Sequence, residues 1–398
     1  MSNFRRIGTF SKTLTRKNTK NSSTADVYSV TKYDGFVRSL DYFKRQVFSR
    51  DLSTYKIVKQ GEFAYSTIHL DEGAIGLLKD EEALISPMYT VFKTDDSIDD
   101  NYLHHLLSSD LLINQYRLIG QGSLNRRKSI SFSIFSNLEV FIPPLEVQKK
   151  IVDIIDLIDK NIVLNDRKLQ KLKKLRIPLF EEIILGGLKN KIFKETSCGK
   201  IPNEWEVKRV GDIFSEVTTY PKDDEEQNLY SLTLESGLIS KPKKYIRDFL
   251  IVNKSKNNYK LVKHDDLVMN PMNLRFGAIA ANKTNKNILV SKYYNVIRLK
   301  NSDYSSIYFE CLFQSRSYLK LYDSIATGSL VEKKRVHWSD FKNIKIPLPS
   351  KKSQKELSKL IIDFNENLDN LEQKVIYLKL LKKSILTEIL SNKQQVSI

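Results

Sequence analysis

The sequence predicts a mixed α+β chain built twice: two similar domains and two long helices pairing as an antiparallel coiled coil, with an internal pseudo-twofold repeat. The first observation behind this is self-similarity. Gly122-Ser123-Leu124 returns as Gly328-Ser329-Leu330, and the same offset of 206 pairs Phe135 with Phe341, Pro143 with Pro349, Gln148 with Gln354 and Glu182-Ile183 with Glu388-Ile389. Upstream, an offset of 204 pairs Gly73-Ala74-Ile75 with Gly277-Ala278-Ile279, and one of 202 pairs Tyr28-Ser29 with Tyr230-Ser231. A period of roughly 200 residues is too long for a solenoid, so it marks two copies of one domain-plus-helix unit. The second observation is that each copy opens with short β-like runs and closes on a long apolar stripe at helical spacing.

In order along the chain, residues 1–143 read as the first mixed domain, with strands around Tyr28-Ser29-Val30, Gly61 to Tyr65 and Tyr89 to Phe92. One helix is expected from Asp100 to Tyr116, then a polar loop from Gly120 to Ser131, then a strand from Leu138 to Ile142. Residues 144–186 form the first long helix, with its seam at Ile151, Ile154, Ile158, Ile162, Leu169 and Leu172. Pro144 suits a first helical turn, Pro178 should break or kink the helix, and Gly186-Gly187 stops it. Residues 187–200 are a linker, 201–349 the second domain, 350–390 the second helix and 391–398 a tail. The second seam runs Leu357, Leu360, Phe364, Leu368, Leu371, Val375 and Leu378, a spacing of three and four. Such a stripe, left exposed, would be costly, so the two helices are each other's expected partners. A helix of about 32 residues spans about 48 Å. Antiparallel pairing would hold two unlike modules apart by more than one turn of DNA, about 34–36 Å.

Composition narrows the class. A net charge of +18 favours a polyanion partner, with double-stranded DNA first. Cys198 and Cys311 are the only cysteines, so no disulfide framework follows and a cytoplasmic setting fits. No long apolar run predicts a membrane span or a signal peptide. Asn270-Pro271-Met272-Asn273 lacks the second proline and the aromatic residue of an amino-methyltransferase motif, and reads as a strand-end turn. No phosphate-binding G-x-x-x-x-G-K-[ST] loop occurs. His104 and His105 are adjacent, so on a helix they diverge by about 100° rather than converge on a metal. Asp223 to Glu226 reads as a solvated acidic loop.

The order of motifs resembles the specificity subunit of type I restriction–modification systems. Its most specific part is the junction Gly199-Lys200-Ile201-Pro202-Asn203-Glu204-Trp205 through Val210-Gly211-Asp212. Ile142-Pro143-Pro144 to Gln148, and Ile346-Pro347-Leu348-Pro349 to Gln354, are similar to the starts of the family's two helical regions. The first copy departs from the pattern, lacking the tryptophan and starting abruptly at Arg6-Ile7-Gly8. The resemblance implies two target recognition domains reading two short DNA blocks around a fixed gap. It implies two modification (methyltransferase) subunits and restriction (translocase/nuclease) subunits as partners. No catalytic residue, metal or cofactor is then expected on this chain; S-adenosylmethionine, ATP and Mg would belong to those partners.

Candidate DNA contacts fall at matched places. One loop holds Ser123, Asn125, Arg126, Arg127 and Lys128; its counterpart holds Ser329, Lys333, Lys334 and Arg335. Between the matched strand and the matched Gly-Ala-Ile lie Thr67 and His69 in copy one, and Asn273 and Arg275 in copy two. Arg275 could pair with guanine and Asn273 with adenine. The competing readings are a degenerate or sequence-indifferent DNA-binding scaffold of a defence or anti-defence system, an enzyme with an unrecognised site, and a coiled-coil assembly protein.

Overall fold

The computed structural model describes residues 3–19, 23–120, 129–186, 192–221, 229–241, 259–330 and 333–391. The chain divides into two compact units, residues 1–167 with 372–398, and residues 168–371.

The first unit is built on an antiparallel sheet in the order Ser11–Leu14, Tyr89–Thr94, Phe63–Ser66, Ile75–Leu77. Side chains alternate between its faces, as a pleated strand requires. Phe63, Tyr65 and Phe92 enter the larger core, where the Phe63 and Phe92 rings stack at 4.9 Å. Ala64 and Val91, one residue along, enter a second core with Val30 and Val58. Two strand pairs, Tyr28–Thr31 with Gly35–Arg38 and Lys56–Lys59 with Glu82–Ile85, supply that second core. The helix expected over Asp100 to Tyr116 is two helices, Asp100–Leu107 and Asp110–Ile119. Ser108 ends one and Ser109 caps the other: the Ser109 side chain accepts from Leu112 N at 3.4 Å, while Asp99 caps the first by accepting from Asn101 N and Tyr102 N.

The second unit repeats this plan. Its sheet runs Phe214–Glu216, Asn295–Leu299, Leu267–Met269, Ile279–Ala281, and its helices are Ser306–Phe313 and Arg316–Ile325. Buried polar ties recur with it. Tyr102 Oη donates to Phe141 O at 2.8 Å, and Tyr308 Oη to Pro347 O at 3.0 Å. Lys56 Nζ donates to Tyr89 O at 2.6 Å, and Lys260 Nζ to Tyr294 O at 2.8 Å; burial pushes both ammonium groups below the usual lysine range.

The abrupt first copy forms the same outer strand pair as the second. Phe4–Arg6 pairs with Glu139–Phe141, as Glu206–Arg209 pairs with Lys345–Leu348. Gly8 N donates to Ser136 O and Gly211 N to Lys342 O, both at 2.8 Å. The second copy adds a hairpin, Phe193–Thr196 with Gly199–Pro202, and a fully buried Trp205.

The long helices are Leu145–Gly186, 42 residues, and Lys351–Ser391, 41 residues. At 1.5 Å per residue each is about 60 Å long, beyond the sequence-based 48 Å. Within the first unit Lys382 Nζ meets Asp159 Oδ2 at 2.6 Å and Lys379 Nζ lies 3.5 Å from Asp166 Oδ2. Within the second, the Phe180 and Phe364 rings meet edge to face at 5.3 Å. Residue numbers rise on one helix as they fall on the other, so the pairing is antiparallel.

Two seam residues are corrected. Ile154 is 51% exposed and Leu360 43% exposed, whereas Ile155 is fully buried and Ile361 nearly so. Ile154 and Leu360 are equivalent positions, so both copies turn the same way. Adjacent apolar residues satisfy helical spacing equally well, and contact with Leu386, Ile389 and Leu390 or with the second unit's core selects the second of each pair. Ile158, Leu169, Leu357, Leu368 and Val375 are buried on the seam; Ile151, Ile162, Leu172, Phe364, Leu371 and Leu378 are half-buried along it. Pro178 does not end the helix. An interior proline costs about 3 kcal/mol, but Phe180, Ile183 and Ile184 beyond it are buried in the core. At about 1.5–3 kcal/mol per buried side chain, that burial outweighs the lost hydrogen bond.

Candidate nucleic-acid interface

The turn after the sheet strand Phe63–Ser66 in copy one, and after Leu267–Met269 in copy two, is the same object in both copies. His69 N donates to Ser66 O, and Glu72 N and Ala74 N both donate to His69 O. In copy two, Asn273 N donates to Asn270 O, and Phe276 N and Ala278 N both donate to Asn273 O. His69 and Asn273 therefore occupy one position: backbone locked by three hydrogen bonds, residue exposed to solvent. The turn closes on Gly73 at φ +98 and Gly277 at φ +91, left-handed values that an L side chain rarely adopts. A Cβ on Gly73 would also come within 2.9 Å of Ile113 Cδ1.

The residues that follow each basic loop in sequence are stitched to this turn. Ile130 N donates to Thr67 O at 2.8 Å, and Val336 N to Pro271 O at 3.0 Å. Thr67 is thus half-buried, its main chain used as an anchor. Thr327 N and Arg335 O, and Arg335 N and Thr327 O, pair at 3.0 and 2.9 Å, closing the second loop at its base. The repeated glycine explains itself here: a Cβ on Gly328, φ +151, would meet Lys334 Cα at 2.9 Å and Lys333 O at 3.0 Å. Ser329, Lys333 and Arg335 are exposed and Lys334 is half-buried. Ser123, Asn125, Arg126, Arg127 and Lys128 lie outside the described residues, as does the acidic run Asp223 to Glu226.

Arg275 is placed differently from the expectation. Its side chain is 8% exposed, its Nη1 donates to Asp323 Oδ1 at 2.7 Å, and its guanidinium lies 5.2 Å from the Phe276 ring centre. Its side chain is turned to Asp323 and Phe276. One neighbour escaped the sequence reading. Tyr33, 82% exposed with Lys32 Nζ 5.0 Å over its ring, sits in a hairpin turn whose Lys32 O lies 3.6 Å from the Cβ position of Gly73. Only the Lys-Tyr-Asp-Gly turn composition signals it in sequence.

Burial raises the Cys198 thiol and pushes Cys311 up to about 12, which suppresses the reactive thiolate. Burial lowers His104 to about 4; His105 is lowered as well and faces Asp156 Oδ1 at 3.3 Å. Asn270 Oδ1 accepts from Met272 N at 3.1 Å, so the Asn-Pro-Met-Asn stretch is a strand-end turn. Among the described residues no group of three or more His, Cys, Asp or Glu side chains is placed to hold a metal ion, and no helix is long and apolar enough to cross a membrane.

Comparison with known proteins agrees with this architecture. The profile of the type I restriction modification DNA specificity domain matches twice, over residues 8–174 and 202–380. A Methanocaldococcus jannaschii protein named as the MjaX specificity subunit of a type I restriction enzyme is 23% identical over 361 residues, 87% of this chain and 81% of its own. The HindI specificity subunit of Haemophilus influenzae is 28% identical over 129 residues, 32% of this chain and 28% of its own. The crystal structure of the HsdS subunit from Thermoanaerobacter tengcongensis shares the fold at a TM-score of 0.54 and 15% identity, over 98% of this chain and 97% of that one. The S subunit of the M. genitalium type I restriction–modification system does so at 0.53 and 12% identity, over 98% and 96%. With the domain matched in both copies and the fold shared end to end, the chain belongs to the type I restriction–modification DNA specificity subunits.

Proposed function

We propose that each copy reads one short block of an asymmetric, two-block DNA target, using the locked turn and the basic loop whose following residues are stitched to it. One observation supports this above the others: the two copies keep the turn's backbone and exchange the side chain it presents, His69 for Asn273. Asn can bond adenine at two points, while a histidine presents a different donor and acceptor set. Thr67 anchors rather than reads; Ser329, Lys333, Lys334 and Arg335 supply phosphate contacts, with Ser123, Asn125, Arg126, Arg127 and Lys128 in the same part in copy one.

The chain itself is non-catalytic in this proposal and works in the cytoplasm. Methyl transfer from S-adenosylmethionine belongs to modification subunits carried on it, and ATP- and Mg-dependent cleavage to restriction subunits that join them. The test is a methylome: the chain expressed with the modification subunit encoded beside it, in a host without DNA methylation. One asymmetric motif of two defined blocks around a fixed gap supports the proposal. DNA binding without any motif favours a sequence-indifferent scaffold. S-adenosylmethionine binding by the isolated chain overturns the non-catalytic role.

A further inference from the structure

We infer that Arg275 and Asp323 form a positioning brace that sets the angle of the recognition turn, and that copy one ties the same two places from the opposite side, through Arg117 on the helix. This rests on the proposal that the turn reads DNA. The repeat itself supplies the observation. At the turn's offset of 204, Arg275 is equivalent to Asp71; at the helix offset of 206, Asp323 is equivalent to Arg117. Copy two therefore has Arg on the turn and Asp on the helix, and copy one has the reverse. Both arrangements are closed. Arg275 Nη1 donates to the Asp323 carboxylate at 2.7 Å, and Arg117 Nε donates to the main-chain carbonyl of Asp71 at 3.1 Å, so copy one ties its turn through the backbone.

In both copies an arginine ties the turn to a helix, placed on the turn in copy two and on the helix in copy one. Arg275, 8% exposed and bonded to Asp323, faces that helix and not solvent. The brace joins the turn to the helix Arg316–Ile325 in copy two and to the helix Asp110–Ile119 in copy one. Because His69 and Asn273 have their backbones fixed within the turn, tilting the turn moves the presented side chain as a rigid body. A shift of about 1 Å is enough to spoil a two-point hydrogen bond to a base edge. Arg275 thus acts on specificity through Asn273.

Four forms of the full chain decide it, each assembled with the modification subunit: wild type, Arg275→Asp, Asp323→Arg and the double exchange. Methylated-base sequencing reads base preference at every position of both blocks, so the block read by copy one is an internal control. Each single change places like charges face to face. We expect each to lose about ten-fold discrimination in one block and less than two-fold in the other, within the range of coupling between contacting residues. The double exchange reproduces the copy-one arrangement and should recover to within about three-fold of wild type. If the double exchange is as unselective as Arg275→Asp, Arg275 itself touches DNA and the brace is overturned. Single changes without effect on either block overturn it as well. Should a single change fail to fold, the double exchange still decides, since it is folded and selective or it is not. A wild type with no two-block motif brings down the DNA-reading proposal itself, and the brace's part in specificity with it.

Discussion

Replacing Gln148 by Met keeps the length of a fully buried side chain and removes only its amide. That amide makes three bonds: Oε1 accepts from Asp99 N at 2.8 Å, and Nε2 donates to Pro143 O at 2.8 Å and Ser97 O at 3.1 Å. It ties the first turn of the long helix to the cap of the helix Asp100–Leu107. The equivalent Gln354 is also fully buried but makes two, from Ser305 N at 3.2 Å and to Pro349 O at 3.0 Å. At about 1 kcal/mol net per bond, with part of the penalty for orphaned groups added, Gln148→Met should cost about 3–4 kcal/mol and Gln354→Met about 2–3. With a urea slope near 2–3 kcal/mol/M, the larger loss moves the affected midpoint by about 1 M or more. The assay separates the units, because both tryptophans, Trp205 and Trp338, lie in the second. Tryptophan emission should follow Gln354→Met, and hydrogen exchange at the Asp99 amide should follow Gln148→Met. A loss below about 0.5 kcal/mol at both sites, or a greater loss at Gln354, refutes the assignment of the glutamine as the tie between helix and domain.

Four further outcomes are expected. His69→Asn and Asn273→His should each change base preference at one position of one block, by about 1–3 kcal/mol, as read by methylated-base sequencing. Alanine at Lys333, Lys334 and Arg335 should weaken binding for all sequences alike, each lost phosphate contact reducing the log–log salt slope by about 0.9 in a salt titration of affinity. Gly328→Ala should open the Thr327–Arg335 closure and weaken binding through that block, with little change in the tryptophan-detected midpoint. His104, held at about 4 against about 6.5 when unfolded, gives the native state stability that is complete above pH 6.5 and lost as pH falls toward 4, up to about 3 kcal/mol. His104→Leu should flatten that decline in urea midpoints measured between pH 7.5 and 4.5.

The duplication was legible because insertions fall where packing tolerates them. The offset moves from 202 to 204 beyond the strand Gly35–Arg38, and reaches 206 by the helix that starts at Asp100 in copy one and Ser306 in copy two. Strands and helices keep register between those points because one inserted residue would turn a whole face from core to solvent. Within the helices, legibility stopped at neighbours: nothing in spacing separates Ile154 from Ile155, and only the surface packed against them does. The break at Ser108-Ser109 was readable as a cap and went unread because the leucines on either side kept helical spacing. What Arg275 faces was illegible for another reason. A charge in a turn says nothing of what it faces, and the answer lay in reading two offsets at once, Asp71 with Arg275 and Arg117 with Asp323.

That last case shows how a duplicated reader diverges. The buried polar ties, Gln148 and Gln354, Tyr102 and Tyr308, Lys56 and Lys260, are unchanged, since altering either partner alone strands a buried donor or acceptor. The exposed position on the turn bears no such constraint, and there the copies differ freely, His69 against Asn273. The brace lies between these extremes. Asp323 is 64% exposed while Arg275 is 8% exposed, so a change at Asp323 strands a buried guanidinium and favours a matching change at position 275. Burial thus sorts the residues into those fixed by the fold, those coupled in pairs and those open to selection by DNA. The last class is where specificity can change without disturbing the fold that carries it.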